Sequence, residues 1–127
     1  MIPQVFLSLS GEDDDFVDRV WRHLPEGLAI FYRKSFRNGQ KLLEAMEAGV
    51  EASTVFVFFA SEASLRSRWT GFEIDQARFN AIRRANFRIL VFPLEAKVSS
   101  SMLPAWMQQY WIPNAGWNPK DIARYWS

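Results

Sequence analysis

Trp69 and Glu73 stand four positions apart in the stretch Ser61 to Asn80, SEASLRSRWTGFEIDQARFN. That spacing sets two side chains one above the other on the same face of a helix. An indole and a carboxylate on one patch are equipped for chemistry. The carboxylate can offset positive charge as it develops on a reacting group, and the indole can stack on a flat base or wall off water. By residue type alone the pair reads more readily as structure, because a Glu near a helix start is favoured by the helix dipole and a Trp beside it commonly packs. Its place in the chain changes that balance.

The pair follows Thr54 to Ala60, TVFVFFA, the most apolar run of the sequence. A run this short, rich in β-branched and aromatic residues, is a strand buried on both faces. Three similar runs precede and follow it: Val5 to Leu9, Leu28 to Tyr32 and Phe87 to Leu94. Between them lie helical patterns. Phe16, Val17, Val20, Trp21 and Leu24 repeat until Pro25 and Gly27 stop them, and Leu42, Leu43, Met46 and Val50 mark a second helix. Asp13 to Asp15 offer the first helix an N-cap and a negative opening turn, and His23 falls at its C-terminal end. Beyond Leu94 the pattern blurs into a Ser-rich turn, a short helix around Pro104 to Gln109 and a brief fifth strand near Tyr110 to Ile112. Asn118 and Pro119 then open a last helix.

Apolar strands alternating with helices imply a parallel sheet covered on both faces. The expected fold is a single α/β domain, flavodoxin-like, with a five-stranded parallel sheet in the order 2-1-3-4-5. In that order a crevice opens between strands one and three, outside their carboxyl ends. The loop after strand one is Ser10 to Asp15 and the segment after strand three is Ser61 to Glu73. Topology thus brings Ser10, Gly11, Trp69 and Glu73 toward one cleft.

Bulk properties narrow the function. The 127 residues are 49% hydrophobic and 16% aromatic, enough for one domain with a real core. Fifteen basic against 14 acidic side chains leave a net charge of +1, which gives no electrostatic case for nucleic acid or an anionic membrane. The start lacks the basic and long apolar parts of a signal peptide, no stretch is apolar for the length of a membrane span, and a cytoplasmic protein is expected. There is no Cys, and the single His is His23. Thiol chemistry, thiolate metal sites and multi-histidine metal sites therefore lack parts, and no metal is expected. The absence of a Gly-rich phosphate-binding repeat speaks against an ordinary NAD-dependent redox enzyme.

The residues resemble a Toll/interleukin receptor (TIR) domain over most of the chain. VFLSLSGED is similar to the family's opening strand and loop. FYRKSFRNGQKLLEAMEAGVEAS resembles its second strand, the long loop with a Gly near its end, and the helix closing on Glu51-Ala52-Ser53. Ser67, Trp69 and Glu73 match the family's Ser-x-Trp-x-x-x-Glu pattern. The chain departs from the pattern at Tyr32-Arg33-Lys34, where an Asp often follows the second strand, and at Leu9, where an aromatic is frequent.

The resemblance, to the NAD+-cleaving bacterial-type kind, implies that Glu73 is the catalytic residue, acting on the bond between nicotinamide and ribose. Ser10, Gly11, Arg33, Gly39 and Trp69 are the corresponding substrate-binding candidates. NAD+ is then substrate, and no cofactor is expected. The products are nicotinamide with ADP-ribose or a cyclic form, and the setting is an immune or cell-death defence system activated by self-association. The alternative is a non-catalytic TIR scaffold that signals through TIR-TIR assembly. Either way the acidic loop with Asp13 and Asp14 and the basic loop with Lys34 and Arg37 are the expected assembly surfaces, stacking copies head to tail into an oligomer or filament. The whole chain, 1–127, reads as one TIR-like domain with further protein expected beyond Ser127. Trp106, Tyr110, Trp111 and Trp117 read first as core filling.

Overall fold

The structure is a computed structural model that describes residues 4–24, 29–31, 42–112 and 119–120. Its strands are β1 (Gln4–Ser8), β2 (Ala29–Phe31), β3 (Val55–Ala60) and β4 (Arg88–Pro93). Its α-helices are α1 (Asp14–Arg22), α2 (Leu42–Ala52), α3 (Glu62–Arg66) and α4 (Arg68–Arg83), with short 3-10 segments at Gly11–Asp13, Ser100–Met102 and Ala105–Tyr110. None of the described helices is long and apolar enough to cross a membrane.

All six residues of β3 are buried, as expected for an unbroken apolar run in the middle of a sheet. The strands stand in the order β2-β1-β3-β4 and every neighbouring pair is parallel. Period two then divides their side chains. Val5, Leu7, Val55, Val57, Phe59 and Phe92 face α1, whose Val17 and Val20 close that side of the core. Phe6, Phe56, Phe58 and Val91 face the opposite way, where Met46 and Val50 of α2 and Ile74 and Ala77 of α4 cover them. On that second face the rings of Phe6 and Phe56 stack with centroids 5.6 Å apart.

The fold is thus α/β with helices on both faces of a parallel sheet, and the sequence-based expectation holds that far. A fifth strand is not shown. Among the described residues, Tyr110 to Ile112 make one parallel bridge, Trp111 to Val91, with the Ile112 N–H donating to the Val91 carbonyl at 2.9 Å. Just before it, the Trp111 N–H closes a 3-10 turn onto Gln108 O at 3.2 Å. Of the aromatic group, Trp106, Tyr110 and Trp111 pack against the second core cluster as core filling, and Trp117 lies outside the described residues. Of the last expected helix, Pro119 and Lys120 are helical and the remainder lies outside the described residues.

Pro93 ends β4 where its missing N–H does least harm. Arg88 and Leu94 direct their N–H groups to Thr54 O and Ala60 O on the β3 side, so by alternation the nitrogen of Pro93 points away from β3.

Arg84 locks the two helices of the second face together. It follows α4, yet its Nη2 donates to Ser53 O at 2.7 Å and its Nη1 to Glu51 O at 2.9 Å, satisfying carbonyls at the end of α2. Nη1 also donates to Asn80 Oδ1 at 3.2 Å, and the guanidinium lies 5.1 Å from the centre of the Phe87 ring. Replacing Arg84 with Ala is expected to lower stability by about 1.5–3 kcal/mol in urea titrations, while Arg84→Lys recovers only part because a point charge cannot meet two carbonyls with one planar fork. Lys performing as well as Arg would contradict that role for the guanidinium.

Candidate functional site at the carboxyl ends of β1 and β3

The residues that follow β1 and β3 are polar and small, and they tie the two strand ends together. Ser10, extended at φ −79° and ψ 149°, caps the 3-10 turn Gly11–Asp13 by accepting the Glu12 N–H at 3.3 Å. Asp13 stands at the N-cap position of α1 but makes no side-chain bond to that helix. Its Oδ2 instead accepts from the hydroxyl of Ser61, 48 positions away, at 2.6 Å. The same hydroxyl caps α3 by accepting the Ser64 N–H at 3.0 Å, while Ser64 Oγ accepts the Ser61 N–H at 2.8 Å in a reciprocal capping box.

Two helices, α3 and α4, follow β3, and they meet at Ser67. Ser67 is extended at φ −76° and ψ 126°, ending α3 and capping α4 through the Thr70 N–H at 3.3 Å. Thr70 is buried, and its hydroxyl donates to the carbonyl of Ser64, fastening the break. Ser67 of the Ser-x-Trp-x-x-x-Glu pattern therefore sets where α4 begins.

That start fixes which residues of α4 face the sheet. Thr70, Glu73, Ile74, Ala77 and Asn80 are the buried positions, spaced as the inner stripe of an amphipathic helix. Glu73 thus lies on the buried face of α4, between Thr70 and Ala77, at 1% exposure. Its Oε1 accepts a hydrogen bond of 2.7 Å from Ser8 Oγ, on the last residue of β1. Trp69, one turn earlier, is half-buried against the second core cluster.

The structure brings Ser10, Gly11, Asp13 and Ser61 to the same end of the sheet as Glu73. Gly11 is exposed, and an added Cβ there would meet nothing within 4 Å, so packing does not demand glycine. Asp14 is half-buried in the first turn of α1. Arg33, Lys34, Arg37 and Gly39 lie outside the described residues. Sequence reasoning overlooked Ser8 in favour of Ser10. The signal was present: a polar residue in a strand covered on both faces must find a hydrogen-bond partner.

A cavity of about 490 Å³ opens on another flank of α4, lined by Leu65, Thr70, Gly71, Ile74, Asp75 and Leu103 among others. Neither Glu73 nor Trp69 lines it, and its charged group is the carboxylate of Asp75, which repels phosphate.

Asp13 titrates above its ordinary value of 3.8, chiefly because burial penalises its charged form. The Ser61 hydroxyl opposes the shift, and the charges of Glu95, Glu12 and Asp14 add to it. A carboxyl whose pKa is raised by folding favours the fold while protonated, below 3.8, and that contribution is lost as pH rises through the folded value. Ionised Asp13 therefore weighs against the fold at neutral pH. Asp13→Asn keeps an oxygen for Ser61 and removes the charge, so it should melt above wild type at about pH 7, with the advantage fading near the ordinary carboxylate pKa. An equal difference at both pH values would refute burial as the cause.

The family model described as TIR domain matches residues 5–123. No curated protein matches the chain closely enough to add a relative to that match.

Proposed function

The chain belongs to the Toll/interleukin receptor (TIR) domain family, a family that holds both NAD+ hydrolases and scaffolds, and from that premise we propose that it is one of the enzymes, cleaving NAD+ between nicotinamide and ribose with Glu73 as the catalytic carboxylate. The observation that supports the reading is a single one: a glutamate at 1% exposure in the inner stripe of α4, at the carboxyl end of a parallel sheet. A buried carboxylate costs several kcal/mol of desolvation, and an assembly scaffold has no use for one there.

In the proposed reaction the bond from the ribose C1′ to the nicotinamide nitrogen breaks, and its electron pair leaves with nicotinamide, neutralising the pyridinium. Positive charge passes to the ribose as an oxocarbenium-like centre. An ionised Glu73 beside the ribose stabilises that charge more in the transition state than in bound NAD+, which is what lowers the barrier. Water then adds to C1′ and releases a proton, giving ADP-ribose; attack by a group of the same molecule gives a cyclic form. Trp69, one turn from Glu73, serves as an apolar wall or stacking surface. Ser10 and Gly11 supply a hydroxyl and backbone N–H groups to the nucleotide, and Arg33 and Gly39 are the remaining substrate-binding residues of this reading. NAD+ is substrate, and no cofactor takes part.

TIR domains commonly associate with one another, and we propose that self-association of this domain in a defence response completes the site. The acidic loop after β1 and the basic loop with Lys34 and Arg37 are the proposed surfaces of contact. Asp13 contributes there mainly as a structural element, since Ser61 already engages it.

Nicotinamide release from NAD+ by clustered protein tests the reading. Glu73→Gln keeps the side-chain volume and an oxygen for Ser8, and is expected to lower the rate by roughly a hundredfold or more. Equal release by wild type and variant would remove Glu73 from catalysis; no release by clustered wild type would leave the scaffold reading standing.

A further inference from the structure

We propose that Ser8 is a positioning residue of this site: its hydroxyl fixes the Glu73 carboxylate in the orientation that the reaction uses. The inference rests on the NAD+-cleaving reading and deepens it. Ser8 is separated from Glu73 by 65 positions and ends a strand, so the contact comes from the fold rather than from local spacing.

Three observations carry it. The first is geometry: Ser8 Oγ donates to Glu73 Oε1 at 2.7 Å, a well-formed hydroxyl hydrogen bond. The second is rigidity. Ser8 is fully buried, and its backbone pairs in register with Phe58 of β3 on one side of a strand that pairs with β2 on the other. A hydroxyl on such a strand is a fixed reference point, whereas Glu73 approaches it on a side chain of three rotatable bonds. The third is parity. Along β1, Phe6 and Ser8 face α4, while Val5 and Leu7 face α1, so Ser8 is the residue at the carboxyl end of β1 turned to the helix that bears Glu73.

A hydrogen bond donated to a carboxylate favours its ionised form, which is the form that stabilises an oxocarbenium-like sugar. Engaging Oε1 from the strand also settles the plane of the carboxylate, and small displacements of a catalytic group are expensive in rate. Ser10, the hydroxyl that sequence reasoning preferred, sits two residues on and caps a turn with its Oγ. It is available to a nucleotide in a way that Ser8 is not.

The test compares kcat and KM for nicotinamide release by clustered wild type, Ser8→Ala and Ser8→Thr. Ser8→Ala should lose kcat by roughly tenfold to a hundredfold with KM little changed, since the hydroxyl never touches substrate. Ser8→Thr, which keeps the hydroxyl on a residue suited to a strand, should recover most of the rate; a merely structural Ser8 would give no such dependence on the hydroxyl in variants that melt alike. Circular dichroism establishes that each variant is folded, and Ser8→Cys, similar in size with only a weak donor, takes the place of Ser8→Ala if the latter does not fold. A kcat equal to wild type without the hydroxyl, or a loss confined to KM, overturns the positioning role. Wild type that releases no nicotinamide under the same clustering overturns the NAD+ reading itself, a result distinct from an active enzyme indifferent to Ser8.

Discussion

A carboxylate in the apolar stripe of a helix is the constraint on which the functional end of this domain turns. Removing an ionised carboxylate from water costs several kcal/mol even after the protein relaxes, and a hydrogen bond to a charged group returns about 1.5–3 kcal/mol. The Ser8 hydroxyl offsets part of what burying Glu73 costs. An alanine or leucine at position 73 would continue the stripe of Ile74 and Ala77 with no carboxyl group to bury.

The framework around Glu73 is tied together at several points. Parallel strands β1 and β3 carry both core faces, and their carboxyl ends are joined by side chains as well as by the ladder: Ser61 to Asp13 on one side, Ser8 to Glu73 on the other. Serine carries much of this, with Ser61, Ser64 and Ser67 all capping or closing helix starts within one short segment. Each supplies a short side chain whose hydroxyl reaches the backbone N–H groups that a helix start leaves without partners. The break at Ser67 has a functional consequence, because a helix running on unbroken from Glu62 would present a different face to the sheet at position 73.

The far end of the same helix is held just as firmly. Arg84 reaches the carbonyls of Glu51 and Ser53, so α4 is fixed at its start by Ser67 and Thr70 and at its finish by the end of α2. A side chain on a rigid element held at both ends is positioned more accurately than one on a loop.

Much of this was open to the sequence alone. Strands buried on both faces are written as continuous apolar runs and amphipathic helices as a repeat of three and four, so β1 to β4, α1 and α2 follow from local pattern, and the four-apart spacing of Trp69 and Glu73 follows from helix geometry. The family match rests on the same ordered pattern. Only the tertiary structure decided which partners these residues meet. Whether Ser8 or Ser10 lies against Glu73 depends on strand parity combined with the face α4 covers, and whether Asp13 caps its own helix or joins Ser61 depends on how two loops approach across the sheet. At the expected fifth strand, one parallel bridge at Trp111 is seen among the described residues, preceded by a 3-10 turn that no apolar pattern records. Periodicity encodes what each segment buries against the sheet, while the pairing of polar groups 48 and 65 positions apart is set by register and by the approach of distant elements.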